Sequence, residues 1–408
     1  MTDLLAALLG DAGGPEFRAE HWGRHVVLGR GDVARFAPWY SAQLWATRVH
    51  LGAVDAARID DHGQQQQVAI DPLQIDHALA NGQTICADVS SEPQLAAQLA
   101  MLRTTTTPSP EQAFAKLYVS APGAGFALHM DAHHVLVLQL EGTKRWQVTD
   151  AVVSAPLWGG KLDARGRPVH TGERAGEPIE DDNGAPLQAP TNLRSIDLAP
   201  GDCLYLPPGA WHATCALGPS VALSVSPPRA TPLRILLHVL EQELARRPMW
   251  REDLVRDRVE DGGVPASIAA RLSSCRRDLA ALVADLDDAT LQRAWALEAF
   301  TSAGLAAAAP QPPPLRPDDR LEHADAGGFV HLLAPAEDGT TEVLYLYREG
   351  GEWILPATAH GFVRALAEVP RFRAAASLSW DPRLDWDAAA EVLVQLERAG
   401  FLRRCGPP

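Results

Sequence analysis

The stretch from Gly125 to Trp146, GFALHMDAHHVLVLQLEGTKRW, constrains this chain more than any other. His129 and Asp131 stand two apart in a β-rich run, so on a strand both side chains leave from one face and Met130 from the other. Much later, GDCLYLPPGAWH sets His212 just past a Pro207-Pro208-Gly209 turn that closes the apolar run Leu204 to Leu206. Two imidazoles and a carboxylate on one side of a metal leave the opposite coordination positions open, the facial arrangement of non-haem Fe(II) sites. A lone H-x-D is weak evidence, because an ordinary hydrogen-bonded strand histidine is the commoner case. Three further features strengthen it.

The first is Lys144, thirteen residues after Asp131. Val135 to Leu140 reads as a buried strand, Glu141-Gly142-Thr143 as a tight turn and Lys144 to Val148 as the returning strand of a hairpin. An ammonium inside an apolar barrel is costly unless an anion meets it, so a bound carboxylate is the economical reading. A lysine exposed on a hairpin would be commoner if Lys144 stood alone. The second feature is the alternation of SVALSVS, Ser220 to Ser226. It gives a small polar face (Ser220, Ala222, Ser224, Ser226) with room for a ligand, backed by Val221, Leu223 and Val225. The third is the length of the phrase PGDCLYLPPGAWH, which makes it specific.

Together these residues resemble the JmjC-type, cupin-fold 2-oxoglutarate/Fe(II)-dependent protein hydroxylases, in the branch of the ribosomal oxygenases. The resemblance implies an α+β chain built on a double-stranded β-helix (a cupin or jelly-roll core). Its cofactors would be Fe(II), 2-oxoglutarate and O2. It assigns iron to His129, Asp131 and His212, and the far carboxylate of 2-oxoglutarate to Lys144. Tyr118 and Ser226 fall where the family places further co-substrate contacts. The likeness continues upstream through FRAEHWGRHVVLGRG and NGQTICADVSSEPQLAAQLAML and is architectural downstream.

With 408 residues, two or three domains are expected. No apolar run approaches the roughly twenty residues needed to span a bilayer. MTDLLAALLGDAGG lacks the basic start of a signal peptide. Cys86, Cys203, Cys215, Cys275 and Cys405 show no C-x-x-C spacing, so neither zinc nor a disulfide frame is indicated, and the cytoplasm is the expected compartment. A net charge of −15 argues against a sequence-independent grip on nucleic acid and suits a basic partner through long-range attraction.

In chain order, residues 1–230 read as the catalytic domain. Leu4 to Leu9 is a short helix, Val33 to Val49 helix and loop, Ile85 to Val89 a strand and Gln94 to Leu102 a helix. The barrel runs from about Ala115 to Pro227. Within it Pro156 to Leu193, rich in Gly, Pro and charge, reads as a substrate-covering loop or a disordered insertion. His133 shares the face of His129 and Asp131 and reads as a neighbour of the ligands or a substrate contact. Trp146 and Trp211 suit either core or peptide contact.

Residues 231–301 form a helical region (Leu233 to Arg246, Pro265 to Leu286, Ala289 to Phe300), which dimerises in the resembled family. Residues 302–322 are a Pro/Ala-rich linker, and 323–408 resemble a winged helix. That last block holds eight Arg and no Lys against twelve Asp or Glu, which argues against DNA binding. The expectation is a dioxygenase hydroxylating a residue of a protein, a basic ribosomal protein among the candidates. The alternatives are a hydroxylase of a peptide natural-product precursor and a non-catalytic metal-binding cupin.

Overall fold

A computed structural model describes residues 4–14, 16–40, 54–106, 113–151, 153–181, 183–229, 231–254, 266–301, 313–324, 329–336, 341–348 and 351–405. Two units emerge, Met1–Thr107 with Glu111–Arg229, and a second that takes in Ala230–Pro408.

The first unit contains β1 (Val27–Gly29), β2 (Val54–Ile59), β3 (Gln65–Ile70), β4 (Thr84–Asp88), β5 (Phe114–Ser120), β6 (Gly125–Met130) and β7 (Val135–Glu141). These are followed by β8 (Lys144–Ala151), β9 (Gly160–Leu162), β10 (Pro168–His170), β11 (Arg194–Leu198), β12 (Cys203–Leu206), β13 (Ala210–Ala216) and β14 (Ser220–Ser226). They form two antiparallel sheets, ordered β1-β12-β7-β14-β5-β4-β2-β3 and β10-β9-β6-β13-β8-β11. The alternating strands of the double-stranded β-helix are visible in this order, since neighbours in sequence from β5 to β8 are divided between the two sheets.

Strand parity sorts the larger sheet. Leu117, Val119, Leu136, Leu138, Leu223 and Val225 point outward and pack with Leu5, Leu8, Phe17, Phe36, Trp39 and Leu95 of the N-terminal region. The opposite parity, including Val137, Ala222 and Ser224, lines a cavity between the sheets. β7 is therefore covered on both faces, which is why it reads as a nearly continuous apolar run.

The turn at Gly142 lies where the sequence places it, but the strands it joins do not form a hairpin. β7 pairs with β12 and β14, whereas β8 pairs with β11 and β13. The chain turns a corner from one sheet to the other, because each strand of this barrel finds its partners across the fold. Gly142 adopts φ +65°, and a Cβ there would lie 1.9 Å from the Pro219 carbonyl oxygen. No other residue fits that corner.

Nor is 156–193 a structureless insertion. Its β9 and β10 pair with each other, and β9 adds to β6 through His129↔Lys161 and Met130↔Gly160. The segment thus widens the smaller sheet beside the H-x-D strand. Upstream, Val33–Phe36 is a single 3-10 turn, and residues 41–49 of the expected helix and loop lie outside the described residues. The helix expected at Gln94 to Leu102 spans Pro93–Thr106.

The second unit holds helices Pro232–Ala245, Pro248–Arg251, Ala266–Asp285 and Asp288–Thr301. Beyond them lie two three-stranded sheets, formed by β15 (Arg320–His323), β16 (Val330–Pro335), β17 (Glu342–Arg348), β18 (Gly351–Pro356), β19 (Arg371–Arg373) and β20 (Leu402–Cys405). Helices His360–Glu368 and Trp386–Arg398 bury Phe362, Leu366, Leu393 and Leu396 against them. The boundaries expected at 301 and 323 are not breaks in packing. Ala296 of the last long helix shares a core with Tyr345 and Tyr347, Arg293 pairs with Glu352, and β15 begins inside the expected linker. The apolar stripe of that helix finds its cover on the β16–β18 sheet.

Candidate active site

The histidines of the two widely separated phrases become cross-strand partners, His129 on β6 against His212 on β13, with ring centroids 4.1 Å apart. Each donates its Nδ1–H to the carbonyl two residues earlier, His129 to Ala127 at 2.7 Å and His212 to Ala210 at 3.0 Å. That tautomer leaves both Nε2 atoms as lone-pair donors. Asp131 lies just past the end of β6, its Oδ2 3.6 Å from His212 Nε2. One ligand atom from each of His129, Asp131 and His212 lies within 4.8 Å of the others. Among the described residues this is the one group of three such side chains that could hold a metal.

Backbone hydrogen bonds join the two halves of the triad. Gly209 N–H of the Pro-Pro-Gly turn donates to the Asp131 carbonyl at 2.9 Å. Gly209 adopts φ +84°, and a Cβ there would lie 2.2 Å from the Val153 carbonyl oxygen, so the turn requires glycine. β6 carries an extra residue relative to β13 between Phe126 and His129. This bulge turns both side chains, three apart, into the cavity.

The electrostatics suit metal binding. Burial pushes the His212 imidazole down to about 4, reinforced by His129, so the ring is neutral at pH 7 as a ligand must be. Burial by itself would raise Asp131. His133, His212, His129 and Lys116 outweigh it and hold the carboxyl down at about 2. Two imidazoles and one carboxylate are a donor set for a first-row divalent ion with positions left over. The residues present fit iron.

The cavity, of about 110 Å³, is walled by both sheets. Lys144 projects into it and is only 2% exposed. Its ammonium donates to Ser120 Oγ at 3.0 Å and lies 5.7 Å from the Tyr118 ring centre. Burial pulls its pKa down to about 8. Among the described residues no carboxylate pairs with it. A buried cation beside one hydroxyl, in the cavity that holds the triad, suits a dicarboxylate that spans from metal to lysine.

The remaining expected residues fall as follows. Tyr118 lines the cavity, and burial raises its hydroxyl well above the usual range. The β14 part of the wall is Ala222 and Ser224. Ser226 is fully buried, with a hydroxyl that finds no hydrogen-bond partner among the described residues. His133 stands on the cavity wall, edge-on to Phe114 at 5.0 Å, outside the metal-ligand group. His134 stacks on Trp22 at 4.1 Å and shares a hydrogen bond of 2.8 Å with the Tyr205 hydroxyl, which also accepts from Gly23 N–H. Trp146 stacks on His212, and Trp211 is core with Met130 and Ile179. Sequence reasoning missed Ser120 and Lys116. The signal was there, since Lys116, Tyr118 and Ser120 alternate on one strand and must share a face.

A double-stranded β-helix with a two-histidine, one-carboxylate group in its bore defines a metal-dependent cupin of the oxygenase type. Residues 91–233 match the family model of the JmjC domain, and this barrel is a JmjC domain. Over 254 residues the chain is 24% identical to the uncharacterized protein YxbC of Bacillus subtilis, covering 58% of this chain and 74% of that one. It is 26% identical over 241 residues to the ribosomal protein uL16 3-hydroxylase of Escherichia coli, covering 56% of this chain and 57% of the enzyme. It thus spans little more than half of that relative. A solved structure of the E. coli ribosomal oxygenase YcfD with cobalt and 2-oxoglutarate aligns over 96% of this chain and 98% of its own, at 19% identity and a TM-score of 0.44.

Proposed function

We propose that the chain is an Fe(II)- and 2-oxoglutarate-dependent dioxygenase that hydroxylates a residue of a protein or peptide. His129, Asp131 and His212 would hold the iron. Bound there with 2-oxoglutarate and O2, iron supplies oxidative decarboxylation to succinate coupled to oxidation of a substrate C–H bond. The chain's own part is placement. The carbonyls of Ala127 and Ala210 fix the two imidazoles. Lys144, steadied by Ser120, would take the far carboxylate of the co-substrate, with Tyr118 beside it. Ser226 would act from the next layer, behind Ser224. The barrel walls exclude bulk water and so strengthen each of these contacts.

The observation that carries this reading is Lys144, a buried ammonium in the cavity of the triad with no carboxylate partner among the described residues. A charge-assisted hydrogen bond contributes roughly 1.5–3 kcal/mol. Lys144→Met should therefore weaken 2-oxoglutarate binding by about tenfold to a hundredfold. Titration of the manganese-loaded protein measures this, and succinate formation tests turnover. Equal affinities would pass the role to another cation, and no affinity in the wild type would leave a cupin without turnover.

The name of the E. coli relative supports a protein substrate, a ribosomal protein being one candidate. Cytoplasmic residence and a homodimer belong to the same proposal. So does a winged-helix reading of 323–408 in which the block contacts protein rather than DNA. The dimer is supported by Leu233 and Leu237, 44% and 54% exposed on helix Pro232–Ala245.

A further inference from the structure

Beside the metal group a groove opens between the β2–β3 hairpin and the β9–β10 hairpin, with β5 and β6 as its floor. Lys116, Tyr118, Phe126, His129 and Asp131 belong to both the groove and the inner cavity, so whatever lies in the groove meets the metal site. The rim offers the side chains of Gln64, Gln65 and Gln67. Gln65 Oε1 accepts from Ala127 N–H at 2.9 Å, and Gln64 Nε2 approaches the Asp163 carbonyl at 3.5 Å. Carboxamides that already bind main-chain groups offer the hydrogen-bonding complement of a peptide.

The charges around the groove are uneven. His129 and Asp131 are taken by the metal group, and Asp163 is held by the Arg167 guanidinium at 2.9 and 2.7 Å. Asp55 accepts from Gln67, and Asp88, the cross-strand neighbour of Lys116, accepts from Ser90 N–H. Lys116 and Lys161 remain, and neither has an ion-pair partner among the described residues. Lys116 is half-buried where groove and cavity meet; its charge helps keep the nearby Asp131 ionised, and with Asp131 given over to the metal group the ammonium can still take a carboxylate from the groove side.

We propose that this groove takes an extended peptide whose residue at the metal site carries an acidic side chain, Asp or Glu, received by Lys116. The inference rests on the protein-hydroxylase reading and deepens it. It separates two ranges of charge. The net −15 of the chain draws basic proteins from a distance, while at contact two lysines favour a carboxylate and repel Arg or Lys. An acidic residue within a basic protein satisfies both.

The test uses four labelled, capped heptapeptides, alanine and glycine except for a central Asp, Glu, Arg or Lys. Their binding to the full manganese- and 2-oxoglutarate-loaded chain is followed by fluorescence anisotropy. The Asp or Glu peptide should bind about tenfold or more tightly than the Arg and Lys peptides, the worth of one charge-assisted hydrogen bond. Lys116→Ala should level the series and Lys116→Glu should invert it. Equal or tighter binding of the basic peptides, an order that Lys116→Glu leaves unchanged, or no binding of any peptide would overturn the inference. Titration of 2-oxoglutarate into the same manganese-loaded sample separates the failures. If it binds, only the substrate assignment has failed; if it does not, the dioxygenase reading has failed first.

Discussion

Lys144 keeps its charge where water hardly reaches, and this gives the residue scale its sharpest consequence. The ammonium form must be present to pair with a carboxylate, and burial has brought its pKa down to about 8. As pH rises through 8 the free site loses its proton, so binding must recover it. Affinity for 2-oxoglutarate should therefore fall above pH 8, by up to tenfold per further unit, in titrations of the manganese-loaded protein. Ser120→Ala removes the hydroxyl that holds the ammonium and should weaken the same affinity roughly twofold to tenfold. On the acid side, His212 and His134 are held neutral by burial, at about 4 and about 3. An unfolded histidine titrates near 6.5, so between there and pH 4 the unfolded chain binds more protons and stability falls as pH falls. At pH 5 the loss should be roughly 2 kcal/mol for each of the two residues, read from urea melts of the metal-free protein at pH 7 and 5.

At the scale of the element, the site depends on how closely β6 approaches β13. A Cβ on Gly125 would lie 1.9 Å from the Thr214 carbonyl oxygen, a backbone atom that cannot give way without parting the strands. Gly125→Ala should draw His129 away from His212 and lower manganese affinity by at least tenfold, while far-UV circular dichroism stays close to wild type. Equal affinity would show that β6 absorbs the shift within its bulge. The elements were legible to different degrees. β7, the Gly142 turn and β8 are visible in the sequence because apolar parity and a turn residue are local properties. Their division between two sheets is not visible, because cross-strand partners such as Val137↔Leu204 and Trp146↔Ile196 come from far along the chain. The β9–β10 hairpin was hidden for a related reason. Three-residue strands rich in Gly and Pro have little propensity of their own and are held by pairing to β6.

For the whole molecule, the exposed leucines of helix Pro232–Ala245 call for a cover. The proposed dimer would bury this apolar face. If it is a dimer seam, the protein should sediment at about twice its 43.9 kDa chain mass, and Leu233→Glu with Leu237→Glu should give the monomer. A wild-type monomer at micromolar concentration would refute the seam. No described helix is long and apolar enough to cross a membrane.

What the sequence determined by itself is the chemistry of the donor set. The H-x-D spacing predicts His129 and Asp131 on one side, which the structure keeps although Asp131 lies just past the end of β6, and the residue types name the metal class. The identities of Lys144 and His212 were equally legible, since each stands at the edge of a strongly marked strand. Only the tertiary structure decided what these groups meet. The cross-strand pairing of His129 with His212, the Ser120 hydroxyl against Lys144 and the groove under Lys116 join residues from distant parts of the chain. Register between strands far apart in sequence is set by the packing of the whole barrel, and no local pattern encodes it.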